Sequence, residues 1–167
     1  MDKGYSHNDD IKLLGEKIKG IRVAMMTTVG SDGTLRSRPM ATLDREFDGD
    51  LWFFTYASAP KVGDVEQHQQ VNISYVDPDD SRYVSISGRA QIVRDREKME
   101  QLWKPFLKAW FPGGLEEPDL ALLKVGVESA EYWDASSSKM VRLANVAKAL
   151  VTGQRDQQGE NQKLDMK

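Results

Sequence analysis

The spacing of apolar residues changes several times along the chain, and each change predicts a new element. Apolar residues recur at helical spacing over 11–18 after a capping Asn8 or Asp9, which predicts a helix that stops at Gly20. From residue 22 onward, apolar and polar residues mostly alternate, as in strands with one buried face. Turns rich in Gly, Asp and Pro separate these runs. The predicted strands are 22–29, 34–42, 51–56, 71–76, 83–93, one around 123–127, and 130–134.

Helical spacing returns in three later segments. Pro60 suits the first turn of a short helix. An apolar stripe from Met99 to Trp110 predicts one continuous helix with a kink at Pro105. Apolar residues over 143–151 indicate a C-terminal helix, and the polar tail beyond it is expected to be mobile. We therefore predict one domain over 1–152 and a mobile tail over 153–167.

The order of elements predicts a mainly β fold with helices. Six or seven strands, mostly joined as antiparallel hairpins, would close economically into a β-barrel, because closure removes exposed sheet edges. A two-sheet sandwich fits the same pattern. Gly88, inside the long strand 83–93, is expected to mark a bulge or a barrel corner.

Composition excludes several classes of chemistry. The 167 residues include no cysteine, which rules out disulfides, zinc thiolate sites, iron–sulfur clusters and cysteine nucleophiles. His7 and His68 lack metal-ligand spacing, so no metal site is predicted. The net charge of −3 does not favour nucleic acid or an anionic membrane as a partner. With no signal-like run and no apolar stretch of about 20 residues, a cytoplasmic protein is expected.

Two basic residues are candidates for binding an anion. Arg38 lies within a predicted strand, in the run Arg38-Pro39-Met40. Lys61 follows the strand end Phe54-Thr55 and opens a helix, where backbone N–H groups and the helix dipole favour phosphate. The alternative is a surface arginine and a solvated lysine, but a cation at a helix N-terminus is disfavoured unless an anion lies nearby.

The four tryptophans form a second group of candidates. Trp103 lies mid-helix and is expected in the core. Trp110 precedes a Pro-Gly-Gly stop, where it would reach an interface or a ligand. Trp133 lies near a strand end, where its ring could cover a planar cofactor. Core packing is the alternative for each of them.

Seven short motifs occur in an order and spacing that together resemble a known family. They are SRPM at 37–40, GDLWFFT at 49–55, SAPK at 58–61, VNISY at 71–75, RYVSISG at 82–88, KAWFPGG at 108–114 and AEYWD at 130–134. The chain resembles the general stress protein 26 branch of the pyridoxamine 5′-phosphate oxidase-like family over roughly residues 10 to 152.

The resemblance implies an FMN-binding split β-barrel that forms a homodimer with the flavin at the subunit interface. The family's flavin-contacting strand motif matches Arg38, Pro39, Met40, Ala41 and Thr42. Its phosphate-binding motif matches Phe54, Thr55 and Lys61. The aromatic matched by Trp133 reaches the flavin from the partner subunit. Trp110 is included among the flavin-binding residues only because it matches the WFPGG motif of this branch. FMN is the expected cofactor, with FAD as the alternative.

Departures from the family pattern bear on the reaction. The oxidase has Lys where this chain has Leu43, and consecutive Arg-Lys where it has Pro60-Lys61. The oxidase's Arg-Leu-His-Asp-Arg segment is missing after Trp133, so the vitamin B6 substrate site is expected to be absent. We therefore expect a flavin-dependent oxidoreductase of unknown substrate that uses NAD(P)H or another small-molecule donor. A non-enzymatic flavin-binding storage or sensing protein is the alternative, and a B6 phosphate oxidase is less favoured. No side chain is identified as catalytic.

Overall fold

The computed structural model describes residues 7–134 and 160–166. Its helices are α1 His7–Ile18, α2 Pro60–Gln67 and α3 Arg96–Leu102, with 3-10 turns at Pro105–Ala109 and Gly114–Glu116. Its strands are β1 Val23–Val29, β2 Leu35–Ala41, β3 Asp50–Tyr56, β4 Gln70–Asp77, β5 Arg82–Val93, β6 Leu120–Asp134 and β7 Glu160–Asp165. Among the described helices, none has the length and apolar character needed to cross a membrane.

All strand pairs are antiparallel and belong to one curved sheet. The order is β2-β1-β4-β5-β6-β3, with β7 added to β6. β2 and β3 lie at the two ends of this path, so the sheet is not closed between them. The prediction of a mainly β, antiparallel split barrel is confirmed.

The β1–β2 hairpin sets the register that matters for the site. Gly33 adopts φ 78°, which glycine reaches without a Cβ penalty, and the Asp32 side chain accepts a hydrogen bond from the Thr34 backbone N–H at 3.0 Å. In the resulting register, Met26 lies opposite Arg38. Arg38 is therefore on the same face of the sheet as the fully buried Met26.

Gly88 marks a bulge, as predicted. Ser87 pairs with Ser129, but Gly88 pairs with Val127, so Glu128 is an extra residue on β6. A Cβ on Gly88 would collide with the carbonyl oxygen of Gly126. Glycine is thus required at this position by the close approach of two backbones.

The prediction of one helix from Met99 to Trp110 is wrong. α3 ends at Leu102, and Lys104 is extended, with φ −128° and ψ 142°. The ring of Pro105 disfavours helical backbone at the residue before it, and the chain restarts as a 3-10 turn. The apolar stripe is nevertheless used, because Met99, Leu102 and Leu107 are buried.

Two further expectations differ from the structure near the C-terminus. The strands predicted around 123–127 and at 130–134 are one continuous strand, β6. Residues 160–165, expected in a mobile tail, pair with β6 as β7, and Leu164 and Met166 are buried. The helix predicted over 143–151 lies outside the described residues, and the domain boundary at residue 152 stays a prediction.

The core consists of two apolar clusters on opposite sides of β3 and β6. One fills the inside of the curved sheet, with Met26, Ile73 and Ile86 fully buried. The other packs β3 and β6 against α3 and the 3-10 turns. Trp103 packs against this second cluster, edge-on to Phe54 at 5.3 Å between ring centroids. The core role expected for Trp103 is therefore observed.

Candidate functional site

Arg38 points inward from β2 and is held by two neighbouring elements. Its guanidinium donates a hydrogen bond to the Thr28 hydroxyl at 2.6 Å and lies 3.5 Å from the Asp64 carboxylate on α2. The side chain is only 21% exposed. Burial lowers the pKa of Arg38 and the charge of Asp64 opposes that shift. The arginine remains charged because its ordinary pKa is so high. The alternative of a solvated surface arginine does not hold.

Asp64 links the strand to the helix. Its carboxylate accepts a hydrogen bond from the Thr28 hydroxyl at 2.8 Å as well as facing Arg38. The Thr28 hydroxyl therefore donates to Asp64 while it accepts from Arg38. Thr28 is completely buried, and the Asp64 side chain is 12% exposed. The three groups form a network that fixes the direction of the guanidinium.

Lys61 adds a second positive charge without a compensating acid. It lies in the first turn of α2, directly after Pro60, and is half-buried. Burial and then the nearby charge of Arg38 lower the pKa of Lys61. Among residues 7–134 and 160–166, its ammonium has no ion pair or hydrogen bond. Arg38 and Asp64 balance each other, so the group retains one positive charge and favours an anion.

Among the described residues, no hydrogen bond or ion pair joins the matched β3 residues Phe54 and Thr55 to this charge cluster. Thr55 is almost completely buried, and its hydroxyl donates to the carbonyl oxygen of Tyr56 at 3.3 Å, near the limit for a hydrogen bond. The ring of Phe54 belongs to the second apolar cluster. The structure therefore gives Phe54 a packing role in this chain.

The remaining residues of the β2 motif alternate between the two faces of the strand. Met40 is buried in the main core, whereas Pro39 is exposed on the outer face. Ala41 packs beside the second cluster. Thr42 closes the hairpin, because its backbone N–H and hydroxyl donate to the carbonyl oxygens of Arg22 and Ile21.

The two candidate tryptophans do not meet the charge cluster within one chain. Trp133 is 41% exposed on the outer face of β6, opposite Tyr83 of β5. Three strands separate β6 from β2, which is about 19 Å along the sheet. Trp110 is 52% exposed beyond the 3-10 turn, edge-on to Phe106.

Comparison with known proteins places the chain in a family. The family model described as pyridoxamine 5′-phosphate oxidase like matches residues 9–157. The chain belongs to the pyridoxamine 5′-phosphate oxidase-like family. The resemblance drawn from the seven motifs is confirmed.

Several known proteins resemble the chain in sequence and fold. Protein bli-3 of Neurospora crassa is 34% identical over 142 residues, covering 79% of this chain and 68% of bli-3. The structure of a general stress FMN/FAD binding protein from Xanthomonas citri superposes with a TM-score of 0.67 at 28% identity, covering 78% and 92% of the two chains. A putative general stress protein 26 from Jannaschia sp. CCS1 shares the fold, with a TM-score of 0.74 at 24% identity over 96% and 99%.

Sequence reasoning missed Thr28 and Asp64, which contact Arg38 in the structure. Thr28 sits in an otherwise strand-like run, where a hydroxyl facing the core carries no distinctive spacing. Asp64 lies three residues after Lys61, so both project from nearby positions on α2. This three-residue spacing could have indicated that Asp64 lies near the predicted anion site. The described residues contain no group of three or more His, Asp or Glu placed to bind a metal.

Proposed function

We propose that the chain binds FMN at the interface of a homodimer and acts as a flavin-dependent oxidoreductase. The observation that carries the proposal is the half-buried Lys61 beside Arg38, with only Asp64 to balance the two charges. A half-buried ammonium without a described acid partner is costly unless an anionic ligand occupies the site.

The residues present fit a terminal phosphate. A phosphate monoester carries about two negative charges and three acceptor oxygens near neutral pH. Lys61 would meet it as a point charge, and Arg38 would present donors in an orientation held by Thr28. In FAD the phosphate is part of a pyrophosphate and carries only about one negative charge, which favours FMN. The relative described as binding FMN or FAD supports a flavin in general.

The bound flavin would supply the electron-transfer chemistry through its isoalloxazine ring. In this proposal the chain's own residues bind and orient the ligand. Arg38 and Lys61 hold the phosphate end, and the β2 segment at Ala41 and Thr42 directs the ring along the strand. The described residues offer no convincing general acid or base beside this cluster, so none is assigned.

A second subunit would complete the site. The outer face of the sheet carries exposed apolar side chains on adjacent strands: Val23, Met25, Val76, Tyr83 and Trp133. An exposed apolar row of this kind is typical of an interaction surface. Pairing of two such faces would bring Trp133 of one subunit toward the flavin of the other, which one chain alone does not achieve.

Titration of the flavin-free protein tests the phosphate assignment. Lys61→Ala should bind FMN about tenfold or more weakly, because it loses one charge-assisted contact. Riboflavin, which lacks the phosphate, should bind both proteins alike. Lys108→Ala, at an exposed lysine, is the matched control. If Lys61→Ala and Arg38→Ala both bind FMN as the parent does, the assignment is wrong.

Turnover separates the enzymatic proposal from its alternatives. Oxidation of NADH or NADPH by the FMN-loaded protein would support an oxidoreductase. Tight flavin binding without turnover with any donor would favour storage or sensing. Steady oxidation of pyridoxamine 5′-phosphate would restore the B6 oxidase function, although the segment after Trp133 that bears on it lies outside the described residues.

A further inference from the structure

A large cleft opens beside α1, at the end of the barrel away from the charge cluster. Its volume is about 1190 Å³, larger than most small-molecule sites. Apolar side chains from α1, the β2–β3 connection and β3 line it: Ile11, Ile18, Leu43, Phe47, Leu51 and Trp52. Arg38, Lys61 and Asp64 are not among its lining residues, so it is distinct from the phosphate site.

Tyr75 brings a phenol hydroxyl to the cleft wall. Tyr75 lines it, its side chain is only 3% exposed, and its hydroxyl has no hydrogen bond to any residue in 7–134 or 160–166. Among the described residues, only Arg82 Nε is a fully enclosed side-chain polar atom without a partner, so the Tyr75 hydroxyl is accessible from the cleft. A ligand or solvent oxygen there can accept its hydrogen bond. Burial raises the pKa of Tyr75, and the phenol therefore stays protonated as a hydrogen-bond donor.

The wall formed by α1 is anchored rather than loosely attached. Lys17 forms an ion pair with Asp134 at 2.7 Å. Gly15 lets the helix approach Phe47, since a Cβ on Gly15 would lie 3.2 Å from the Phe47 Cβ. Arg82 donates hydrogen bonds to carbonyl oxygens at the end of α1. The cleft is therefore formed in the folded chain and does not need a ligand to open it.

Charge around the cleft does not select a strongly ionic ligand. Basic and acidic residues line it in equal numbers, and their contributions oppose one another. The Thr42 hydroxyl also lines the cleft but already donates to the Ile21 carbonyl oxygen, whereas the Tyr75 hydroxyl has no hydrogen bond to a described residue. A ligand matching these features is uncharged, mostly apolar and equipped with one oxygen that accepts a hydrogen bond.

We propose that this cleft is a second binding site, for a neutral apolar molecule whose carbonyl oxygen accepts a hydrogen bond from Tyr75. It would be additional to the proposed phosphate site, whose Arg38 and Lys61 do not line the cleft. Thr42 and Trp110 line the cleft and also belong to the flavin residues predicted from sequence, so competition with FMN must be measured.

The test compares two probes that differ by one oxygen. 1-Indanone has a carbonyl group on a flat apolar frame, and indane has the same frame without it. Both are titrated into the full-length, isotope-labelled protein, first without flavin and then with saturating FMN, while backbone NMR shifts are followed. We expect indanone to bind about fivefold or more tightly than indane, with shifts centred on Leu43, Phe47 and Tyr75 in both conditions.

Two variants separate the hydrogen bond from general apolar binding. Tyr75→Phe should lose the preference for indanone and bind indane like the parent. Tyr83→Phe, at an exposed tyrosine outside the cleft, should behave as the parent. If Tyr75→Phe does not fold, the parent's preference for indanone over indane still tests whether the cleft provides a hydrogen-bond donor. Equal binding of both probes, no binding of either, or displacement of indanone by FMN would each overturn the proposal, whatever the outcome of the FMN titrations.

Discussion

The Arg38 guanidinium donates a 2.6 Å hydrogen bond to the Thr28 hydroxyl across the β1–β2 hairpin. The same hydroxyl donates to Asp64, so Thr28 connects the arginine to α2. Thr28 is fully buried between two partly exposed charged groups, so its hydroxyl helps to fix the direction of the guanidinium.

Replacing Thr28 with valine should therefore destabilise the protein. Thr28→Val keeps the shape but leaves Arg38 and Asp64 each without one buried hydrogen bond, at a cost of about 1–3 kcal/mol. Urea denaturation measures the loss. Thr28→Ser, which retains the hydroxyl, should lose clearly less. Equal stability of Thr28→Val and the parent would show that the network is not maintained in solution.

The lowered pKa of Lys61 predicts a pH dependence of stability in the flavin-free protein. The unfolded chain binds this proton more tightly than the folded one. Stability relative to Lys61→Met should therefore rise as the pH increases through the native pKa of Lys61 toward the unfolded value of about 10.4. Denaturation of both proteins between pH 7 and pH 10.5 checks the sign, with Lys108→Met as the control. A difference that falls with increasing pH would contradict the burial of this ammonium.

Two glycine substitutions should have opposite effects. Gly88→Ala places a Cβ against the Gly126 carbonyl and 3.0 Å from the Val125 Cγ1, so the strands must shift, which we expect to cost about 1–3 kcal/mol. Gly63→Ala lies in α2, where a Cβ meets nothing within 4 Å, and should stabilise by about 0.5–1 kcal/mol. Thermal unfolding should shift in opposite directions. A Gly88→Ala protein as stable as the parent would mean that the bulge is not tightly packed.

Arg82 should contribute much more to stability than a surface arginine. It donates to Asp77 at 2.6 Å and to carbonyl oxygens at the end of α1 at 3.2 and 3.3 Å. Arg82→Met should lose about 2 kcal/mol, because charge-assisted bonds are broken where the side chain is largely buried. Arg89→Met, which removes an exposed pair with Glu128, should lose less than about 1 kcal/mol. Similar losses in the two variants would show that the hydrogen bonds of Arg82 to Asp77 and to the end of α1 contribute no more than a surface ion pair.

The outer face of the sheet should mediate dimerisation. We expect a homodimer in light scattering at micromolar concentration, with an interface of roughly 2,000 Å² or more. Val76→Lys places a charge in the middle of the exposed apolar row and should give monomers that still fold. Phe106→Lys changes an equally exposed side chain that lies off the sheet and should remain dimeric. A parent protein that is monomeric with FMN bound would exclude this arrangement.

Local sequence pattern was sufficient for β1 to β5, whose observed bounds lie within one residue of those predicted. Apart from β3, which is the apolar run Leu51-Trp52-Phe53-Phe54, these strands mostly alternate apolar and polar residues, and turn signals border them all. β7 contains the buried Leu164 and is followed by the buried Met166, and pairing with the distant β6 determines its structure. The residues of the segment itself do not predict pairing with a strand so far away in the sequence.

The candidate site was predictable where a charge stood in an unusual place. Arg38 within a strand and Lys61 at a helix start were both predicted to bind an anion, and the fold brings them close together. Thr28 was not predictable, because a threonine is ordinary in a strand and its role arises only from register. The Tyr75 cleft depends on how α1 crosses the barrel end, and that packing angle has no local sequence signature.

The pairing of β3 with β6 also determines when the sheet can be completed during synthesis. Asp50 to Tyr56 hydrogen-bond to partners between Leu120 and Gly126, about seventy residues later in the chain. Until that segment leaves the ribosome, the apolar run Leu51-Trp52-Phe53-Phe54 has no described strand to cover it, whereas β1, β2, β4 and β5 can already associate. Chains interrupted before residue 120 would therefore expose an aggregation-prone strand, and slow translation between β3 and β6 should lower the soluble yield.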